Sequence, residues 1–344
     1  MSNTSEKNDL TSVKDLTVEE FFTQKSLSTA LPLKISLTCE QLITECIEST
    51  ELKFEQDSSI ELVVFSNLSL AALQDLQSFA QLNILSLHAI NYRNNSTSFR
   101  FIIQCENLIA SRKLVAEFSL KQNVEMALLQ NAPVLSAGGL LVMDMDSTTI
   151  EIECIDEIAK LAGVGEQVSQ VTELAMEGKL DFSQSLHQRV ATLSGSSVYI
   201  LEKVISNIPL MPGLETLVDQ LKQNNWRIAI ASGGFTYFAD YLKNQLNLDA
   251  ARANVLEITN GVLTGKVLGD VVDAQAKADC LGELASQYRI PHSQTVAMGD
   301  GANDLVMMAA AGFGVAFHAK PIVLAQADSS INHQGLDCLL HWLT

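Results

Sequence analysis

Three short apolar runs in the second half of the chain each end at a polar residue, and this pattern constrains the fold more than any other feature. They are residues 140–143, 228–231 and 295–298, followed by Asp144, Ser232 and Gly299-Asp300. A continuous apolar run is typical of a strand buried on both faces. Helical patterns lie between and after these runs, at residues 214–223, 237–246, 275–288 and 305–311. Strands that alternate with helices predict an α/β fold with a doubly wound parallel sheet.

Two segments interrupt this alternation. Residues 151–212 have a helical pattern and lie between the first predicted strand and the next helix, so we predict an inserted helical cap there. Residues 254–268 have extended runs on both sides of Asn260-Gly261, which is the favoured two-residue hairpin turn. The second domain is predicted to span residues 135–344.

The first part of the chain predicts a smaller α+β domain over residues 31–130, after a polar segment at residues 1–30. Its strands are predicted at residues 60–65, 84–87 and 99–104, and its helices at residues 68–79 and 114–129. This region offers no acid, base or metal-ligand constellation. Regulation or oligomerisation, including a possible homodimer through this domain, is therefore favoured over catalysis.

The charge balance excludes several classes of partner. The chain has 22 Lys and Arg residues against 40 Asp and Glu, a formal net charge of −18, whereas nucleic acids and anionic membranes attract basic surfaces. No apolar run reaches the roughly 20 residues of a membrane helix, and the polar N-terminus lacks the pattern of a secretory signal. The six cysteines are scattered, which is typical of reduced thiols and predicts a cytoplasmic protein.

Carboxylates collect after the predicted strands. Asp144 and Asp146 follow the first strand, and the segment 299–304, with the sequence GDGAND, follows the third. Because the carboxyl ends of parallel strands meet at one edge of a sheet, these groups would repel one another without a cation. Mg²⁺ with oxygen ligands fits best, and a structural Ca²⁺ site is the alternative. Residues 144–148 alone could also be a helix N-cap cluster.

Two further features suit an anion. Ser232-Gly233-Gly234 presents a hydroxyl and backbone N–H groups after the second strand. Lys277, near the start of a predicted helix, could supply a positive charge, although a lone lysine is usually a solvated surface residue. A nucleophile, a metal site, an anion-binding loop and a cation are together the parts of a phosphoryl-transfer site.

These motifs, in this order, resemble those of the haloacid dehalogenase superfamily: D-x-D-x-T at 144–148, Ser232, Lys277 and G-D-G-x-N-D at 299–304. Within it the chain is similar to the phosphoserine phosphatase family. The residues that carry this closer resemblance are Glu153, Met176-Glu177-Gly178 with Phe182, and residues 185–190. The resemblance covers about residues 135–335. The preceding region looks like the ACT-related domain of bacterial members.

The resemblance implies a Mg²⁺-dependent enzyme that hydrolyses O-phosphoserine through an aspartyl-phosphate, the last step of serine biosynthesis. Asp144 would be the nucleophile, and Asp146 the general acid and then the general base. The metal would be held by the carboxylates of Asp144 and Asp300 and by the backbone carbonyl of Asp146.

The resemblance also implies the residues that bind substrate. They are Ser232, Gly233, Lys277 and Asn303 for the phosphoryl group, and Glu153 and Arg189 for the ammonium and carboxylate groups. Asp304 would support Lys277 or a metal-bound water. A forked arginine suits a carboxylate and an anion suits an ammonium, so the chemistry of phosphoserine agrees with this assignment. The alternative for Glu153 and Arg189 is a salt bridge within the cap, or two solvated side chains.

Two other functions stay open at this point. One is a phosphatase of the same fold that acts on another small substrate, such as phosphothreonine or a sugar phosphate. The other is an amino-acid-sensing protein that keeps the fold without turnover, which the intact set Asp144, Asp146, Lys277 and Asp300 disfavours.

Overall fold

The computed structural model describes residues 5–24, 33–38, 41–46, 60–176 and 179–344. Contacts divide the chain into two compact units, Met1–Val134 with His318–Thr344, and Leu135–Phe317. We call them the N-terminal unit and the α/β unit. Residues 318–344 thus group with the N-terminal unit, and the domain bounds given by the sequence stay a prediction. Among the described residues, no helix combines the length and the apolar character needed to cross a membrane.

The N-terminal unit contains an antiparallel sheet, as the α+β prediction requires. Its strands are β1 (Ser5–Asp9), β2 (Leu33–Leu37), β3 (Gln41–Cys46), β4 (Ile60–Phe65), β5 (Leu82–Arg93), β6 (Ser96–Cys105) and β7 (Met126–Gln130). They lie in the order β1-β3-β2-β5-β6-β4-β7. The helices are α1 (Leu10–Val13), α2 (Val18–Gln24), α3 (Leu70–Phe79) and α4 (Leu108–Gln122). An ACT-like relationship stays a prediction.

The helix predicted at residues 114–129 is wrong in its second half. Helix α4 ends at Gln122, and Asn123 adopts a left-handed conformation with φ of 53° that terminates it. The following apolar residues form β7, which pairs with β4 from Val64↔Met126 to Ile60↔Gln130. A short apolar run fits a buried helix and a buried strand equally well. Pairing with β4 therefore determines that this segment is a strand.

The sheet of the α/β unit confirms the predicted doubly wound fold. Its strands are β8 (Leu140–Met143), β9 (Arg227–Phe235), β10 (Ala250–Thr259), β11 (Val262–Leu268), β12 (Thr295–Gly299) and β13 (Phe313–Phe317). They lie in the order β11-β10-β9-β8-β12-β13. Neighbours are parallel except in the β10–β11 hairpin. Strands β9, β10 and β11 therefore lie on one side of β8, and β12 and β13 lie on the other side.

Helices fill the connections of this unit. They are α5 (Cys154–Ala162), α6 (Gly165–Met176), α7 (Phe182–Thr192), α8 (Tyr199–Ile205), α9 (Leu214–Gln223), α10 (Thr236–Gln245), α11 (Ala274–Tyr288) and α12 (Leu305–Ala310). Helices α5 to α8 confirm the predicted helical insertion after β8. The limits of the cap at residues 151 and 212 stay a prediction.

The C-terminal segment of the N-terminal unit carries α13 (Pro321–Leu324), β14 (Ser329–Ile331) and α14 (Leu339–Trp342). The buried Arg100 donates through Nη2 to the carbonyl oxygens of His341, Trp342 and Leu343, at 2.9, 3.2 and 3.1 Å. Arg93 Nη1 donates to the carbonyl of Leu343 at 2.9 Å. Two cations thus satisfy carbonyl groups that the end of a helix leaves without partners.

The environment of His341 favours the neutral imidazole. Its Nε2 lies 3.1 Å from the Arg93 carbonyl oxygen, which can only accept, and its Nδ1 lies 2.8 Å from Ser98 Oγ. Burial, together with the charges of Arg93 and Arg100, lowers the pKa of His341 from 6.5 to about 4.

Acidification should destabilise the protein through His341. Because its folded pKa lies below its unfolded pKa, the folded state binds fewer protons between pH 6.5 and about 4, and stability falls as pH falls through this window. The loss from this one group should approach about 3 kcal/mol. His341→Gln keeps a donor and an acceptor but cannot titrate, so its unfolding free energy should fall less. Urea unfolding at about pH 7 and about pH 4.5 measures both. Equal losses in the two proteins would contradict this role.

Candidate functional site

The candidate site lies where the order of the parallel strands reverses. Asp144 follows β8, and Asp300 follows β12, which pairs with β8 in parallel from Thr295↔Leu140 to Met298↔Met143. In doubly wound sheets, ligands bind in the crevice beyond the carboxyl ends of the strands at this reversal. The two predicted strand-end carboxylates therefore meet in such a crevice.

The backbone and neighbouring side chains fix Asp144. Its N–H donates to the Met298 carbonyl at 2.9 Å, and its carbonyl accepts from Thr149 Oγ1 at 2.5 Å. Its carboxylate Oδ1 accepts from the N–H of Met145 at 2.7 Å. Only 6% of the residue is exposed. This carboxylate is therefore held at one position in a largely buried environment.

Lys277 joins two buried carboxylates. Its Nζ lies 2.9 Å from Asp144 Oδ1 and 2.7 Å from Asp304 Oδ1, and the residue is 1% exposed. Burial alone would lower the pKa of Lys277, but the charges of Asp144 and Asp304 raise it, so the lysine stays charged. Asp304 also accepts from the N–H of Gly301 at 3.0 Å. The reading of Lys277 as a solvated surface residue is excluded.

Three carboxylates form a possible metal centre. Oxygen atoms of Asp144, Asp300 and Asp304 all lie within 4.8 Å of one another. Burial, followed by the charge of Asp144, raises the pKa of Asp300 to about 6 and that of Asp304 to about 7. An all-oxygen donor set of this kind fits a hard cation such as Mg²⁺. Asp304 thus joins the cluster in addition to contacting Lys277.

Asp146 has a different environment. Its Oδ1 is buried without a hydrogen-bond partner in the part of the chain that the structure describes. Burial, and then the charges of Glu153 and Asp144, raise the pKa of Asp146 well above its usual value. This environment favours the protonated form of the Asp146 carboxyl group more than exposure to solvent would.

The predicted anion-binding loop lies at the end of β9. Ser232 is buried, and its Oγ accepts from the N–H of Gly234 at 2.9 Å. A Cβ at Gly233 would lie 2.7 Å from Cζ of Phe182, the first residue of α7, so only glycine fits beneath this ring. Asn303 folds back over Gly301, where a Cβ would lie 2.1 Å from Asn303 Oδ1.

The two cap residues lie near each other and near the carboxylates. Glu153 accepts from Ser147 Oγ at 2.7 Å. Burial raises the pKa of Glu153, and the Ser147 hydrogen bond and the charge of Arg189 oppose this. The Arg189 Nε is buried and has no hydrogen-bond partner among the described residues. A buried donor without a partner is costly, which favours a ligand over an internal salt bridge.

The sequence analysis did not identify three supporting hydroxyls, two in the first motif and a third, that of Thr149, directly after it. Ser147 orients Glu153, Thr149 holds the carbonyl of Asp144, and Thr148 Oγ1 lies 3.5 Å from Asp300 Oδ1. Ser, Thr and Asp cluster at turns for many reasons, so this signal was present but not specific. Two residues of the closer resemblance, Glu177 and Gly178, lie outside the described residues. The roles assigned to the site residues stay predictions.

Lys277→Met should lower the free energy of unfolding by about 3–5 kcal/mol, because two buried carboxylates lose the cation they share. Urea unfolding with EDTA measures this. Adding Asp304→Asn should recover part of the loss, since one of the stranded charges is removed. Lys266→Met is the control, because Lys266 is exposed in the same unit and should change stability by less than about 0.5 kcal/mol. A similar effect of both lysine variants would contradict a buried charge pair.

Comparison with known proteins agrees with this geometry. The haloacid dehalogenase-like hydrolase family matches residues 139–312. A phosphoserine phosphatase of Vibrio cholerae is 60% identical over 213 residues, which cover 62% of this chain and 65% of that protein. A phosphoserine phosphatase of Haemophilus influenzae is 57% identical over 224 residues, which cover 65% and 71% of the two chains.

A solved structure extends the similarity to the first half of the chain. The unliganded crystal structure of a probable phosphoserine phosphatase from Vibrio cholerae superposes with a TM-score of 0.70 at 47% identity, over 86% of this chain and 88% of that one. The sequence match to the Vibrio cholerae relative above spans slightly less than two thirds of that protein's length. The chain belongs to the haloacid dehalogenase-like hydrolases and, within them, to the phosphoserine phosphatase family.

Proposed function

We propose that the protein is a Mg²⁺-dependent phosphoserine phosphatase, which hydrolyses O-phosphoserine to serine and phosphate through an aspartyl-phosphate at Asp144. One observation carries the proposal: the Asp144 carboxylate is fixed through Oδ1 by Lys277 and by the N–H of Met145. Asp146, whose pKa is raised, lies two residues further along the chain. Both named curated relatives are phosphoserine phosphatases.

The oxygen donors of the cluster would hold Mg²⁺. Asp144 and Asp300 would contribute carboxylates, and Asp146 its backbone carbonyl, with Asp304 beside them. When bound, the ion neutralises negative charge on the phosphoryl group and on the carboxylates around it.

The first chemical step transfers the phosphoryl group to Asp144. Because the two contacts that the described residues make to its carboxylate are both to Oδ1, Oδ2 is the oxygen left to attack phosphorus. The bond from phosphorus to the serine oxygen breaks, and Asp146 gives its proton to that oxygen. A serine alkoxide is a poor leaving group, so this proton contributes about 10²–10⁴-fold.

The second step releases phosphate. Asp146, now ionised, takes a proton from a water molecule whose oxygen attacks the phosphorus. The bond from phosphorus to Asp144 breaks, and both carboxyl groups return to their starting states. Burial raises the pKa of Asp146 toward neutral pH, which suits a group that first donates and then accepts a proton.

Four groups would bind the phosphoryl oxygens: the Ser232 hydroxyl, the Gly233 N–H, the Lys277 ammonium and the Asn303 amide. The Ser232 oxygen already accepts from the N–H of Gly234, so its own proton is left to donate. The buried lysine supplies a positive charge at the same place. Donors of this kind stabilise the charge of a transferring phosphoryl group.

Glu153 and Arg189 would give selectivity for phosphoserine. The partnerless Nε of Arg189 gains a hydrogen bond from the substrate carboxylate, and Glu153, oriented by Ser147, pairs with the ammonium. We also propose a cytoplasmic location, which suits the free thiols of Cys105, Cys154, Cys280 and Cys338. A homodimer through the N-terminal unit remains an expectation from the sequence.

Phosphate release from a panel of phosphomonoesters tests the proposal. We expect O-phosphoserine to be hydrolysed with the highest kcat/KM, ahead of phosphothreonine and sugar phosphates. EDTA should abolish the activity and Mg²⁺ should restore it, whereas Ca²⁺ should substitute poorly because its coordination is larger and looser. Asp144→Asn should keep the fold and remove turnover. Full activity in a metal-stripped sample, or preference for another phosphomonoester, would refute the proposal.

Arg189→Ala should lower kcat/KM for phosphoserine much more than kcat/KM for a substrate without a carboxylate. A charge-assisted hydrogen bond is worth roughly 1.5–3 kcal/mol, or about 10- to 150-fold in affinity. The kcat/KM for phosphoserine should fall by at least that factor, while phosphoethanolamine, which lacks the carboxylate, should scarcely change. Arg189→Lys should recover only part of the loss, because a point charge cannot reproduce the fork. An equal fall for both substrates would show that Arg189 holds the phosphate or the cap.

A further inference from the structure

A buried asparagine links the two segments that carry the phosphate-binding groups. Asn254 lies in β10, is 1% exposed, and follows a shift in the register between β10 and β9 at Arg252. Its side-chain Nδ2 donates to the Gly233 carbonyl at 2.8 Å, and its Oδ1 accepts from the N–H of Val272 at 2.8 Å. The amide orientation is unambiguous, because a carbonyl can only accept and an N–H can only donate.

The first contact fixes the peptide that follows Gly233. That peptide unit contains the Gly233 carbonyl, held by Asn254, and the Gly234 N–H, which donates to Ser232 Oγ at 2.9 Å. Because a peptide unit is planar, holding its carbonyl also aims its N–H. The direction of the Ser232 hydroxyl therefore depends on Asn254.

The second contact fixes the start of the lysine helix. Val272 precedes Asp273, the N-cap of α11, whose side chain accepts from the N–H of Ala276 at 2.9 Å. The N–H of Lys277 donates to the Asp273 carbonyl at 3.1 Å. Lys277 is thus one helical turn from the segment that Asn254 holds.

We propose that Asn254 is a positioning residue for phosphate: its amide sets the Ser232-Gly233 loop and the Lys277 helix at the spacing that a phosphoryl group requires. It does not touch the substrate in this assignment. The inference rests on the proposed function, since both segments must bind phosphate. An asparagine is also unfavourable within a strand, which is the sequence signal for a special role at this position.

Thr295 offers a matched control. It is also 1% exposed in the α/β unit, and its Oγ1 likewise joins two backbone segments, donating to the His292 carbonyl at 2.7 Å and accepting from the Gly312 N–H at 2.8 Å. It begins β12, whereas the candidate site lies beyond the other end of that strand. Thr295→Val and Asn254→Ala therefore each remove one buried donor and one buried acceptor.

The experiment measures binding of inorganic phosphate by calorimetry in the presence of Mg²⁺, together with KM and kcat for phosphoserine. We expect both variants to lower the Tm by similar amounts. Asn254→Ala alone should weaken phosphate binding, by about tenfold, and raise KM to a similar degree. Mg²⁺ affinity should fall less than phosphate affinity, since Asn254 contacts Gly233 and Val272 and reaches Asp144 only through Lys277.

Equal phosphate affinity in Asn254→Ala and Thr295→Val would overturn the inference, as would a parallel loss of Mg²⁺ affinity in Asn254→Ala. A wild-type protein that neither binds phosphate nor hydrolyses phosphoserine would overturn the proposed function as well. Should Asn254→Ala fail to fold, Asn254→Ser serves instead. Its shorter side chain carries no charge and cannot join Gly233 to Val272, so weaker phosphate binding is again expected and unchanged binding again overturns the inference.

Discussion

The ammonium group of Lys277, buried between Asp144 and Asp304, is the interaction on which the candidate site depends. Three carboxylates gather beside it, and in a buried place like charges at short range are costly. Lysine offsets part of that cost, while burial and the charge of Asp144 raise the pKa values of Asp300 and Asp304. The proposed binding of a metal ion and a phosphoryl group at this place would bring positive charge to these carboxylates and an anion to Lys277.

The carboxylates and their neighbours can approach one another because two positions of the backbone, Gly299 and Gly234, carry no side chain. A Cβ at Gly299 would lie 2.3 Å from the Asp304 carboxyl carbon, and one at Gly234 would lie 2.6 Å from Met145 Cε. Glycine lets the ends of β12 and β9 approach the groups that they position. Asn254 then joins the end of β9 to the segment before the lysine helix, so that hydrogen bonds as well as packing set the distances within the site.

In the N-terminal unit, by contrast, backbone carbonyl groups of the protein itself accept hydrogen bonds from the charged side chains. Arg93 and Arg100 meet carbonyl groups at the end of α14, and the titratable group between them, His341, is kept neutral. Here the charges are satisfied by the protein itself, whereas at the candidate site buried polar atoms of Asp146 and Arg189 lack partners among the described residues. That contrast separates a structural cluster from one arranged for a ligand.

The sequence alone determined the doubly wound fold and the residues at its strand ends, because apolar runs, helical periodicity and the polar residues that follow strands are local features. It also supplied Asp144, Ser232, Lys277 and Asp300 as candidates through their order and resemblance. Only the tertiary structure decided that residues 126–130 form a strand, that residues 318–344 group with the N-terminal unit, and that Lys277 is buried between Asp144 and Asp304. These features, like the two contacts of Asn254, join residues distant in sequence, and no local pattern records which distant groups a buried side chain will meet.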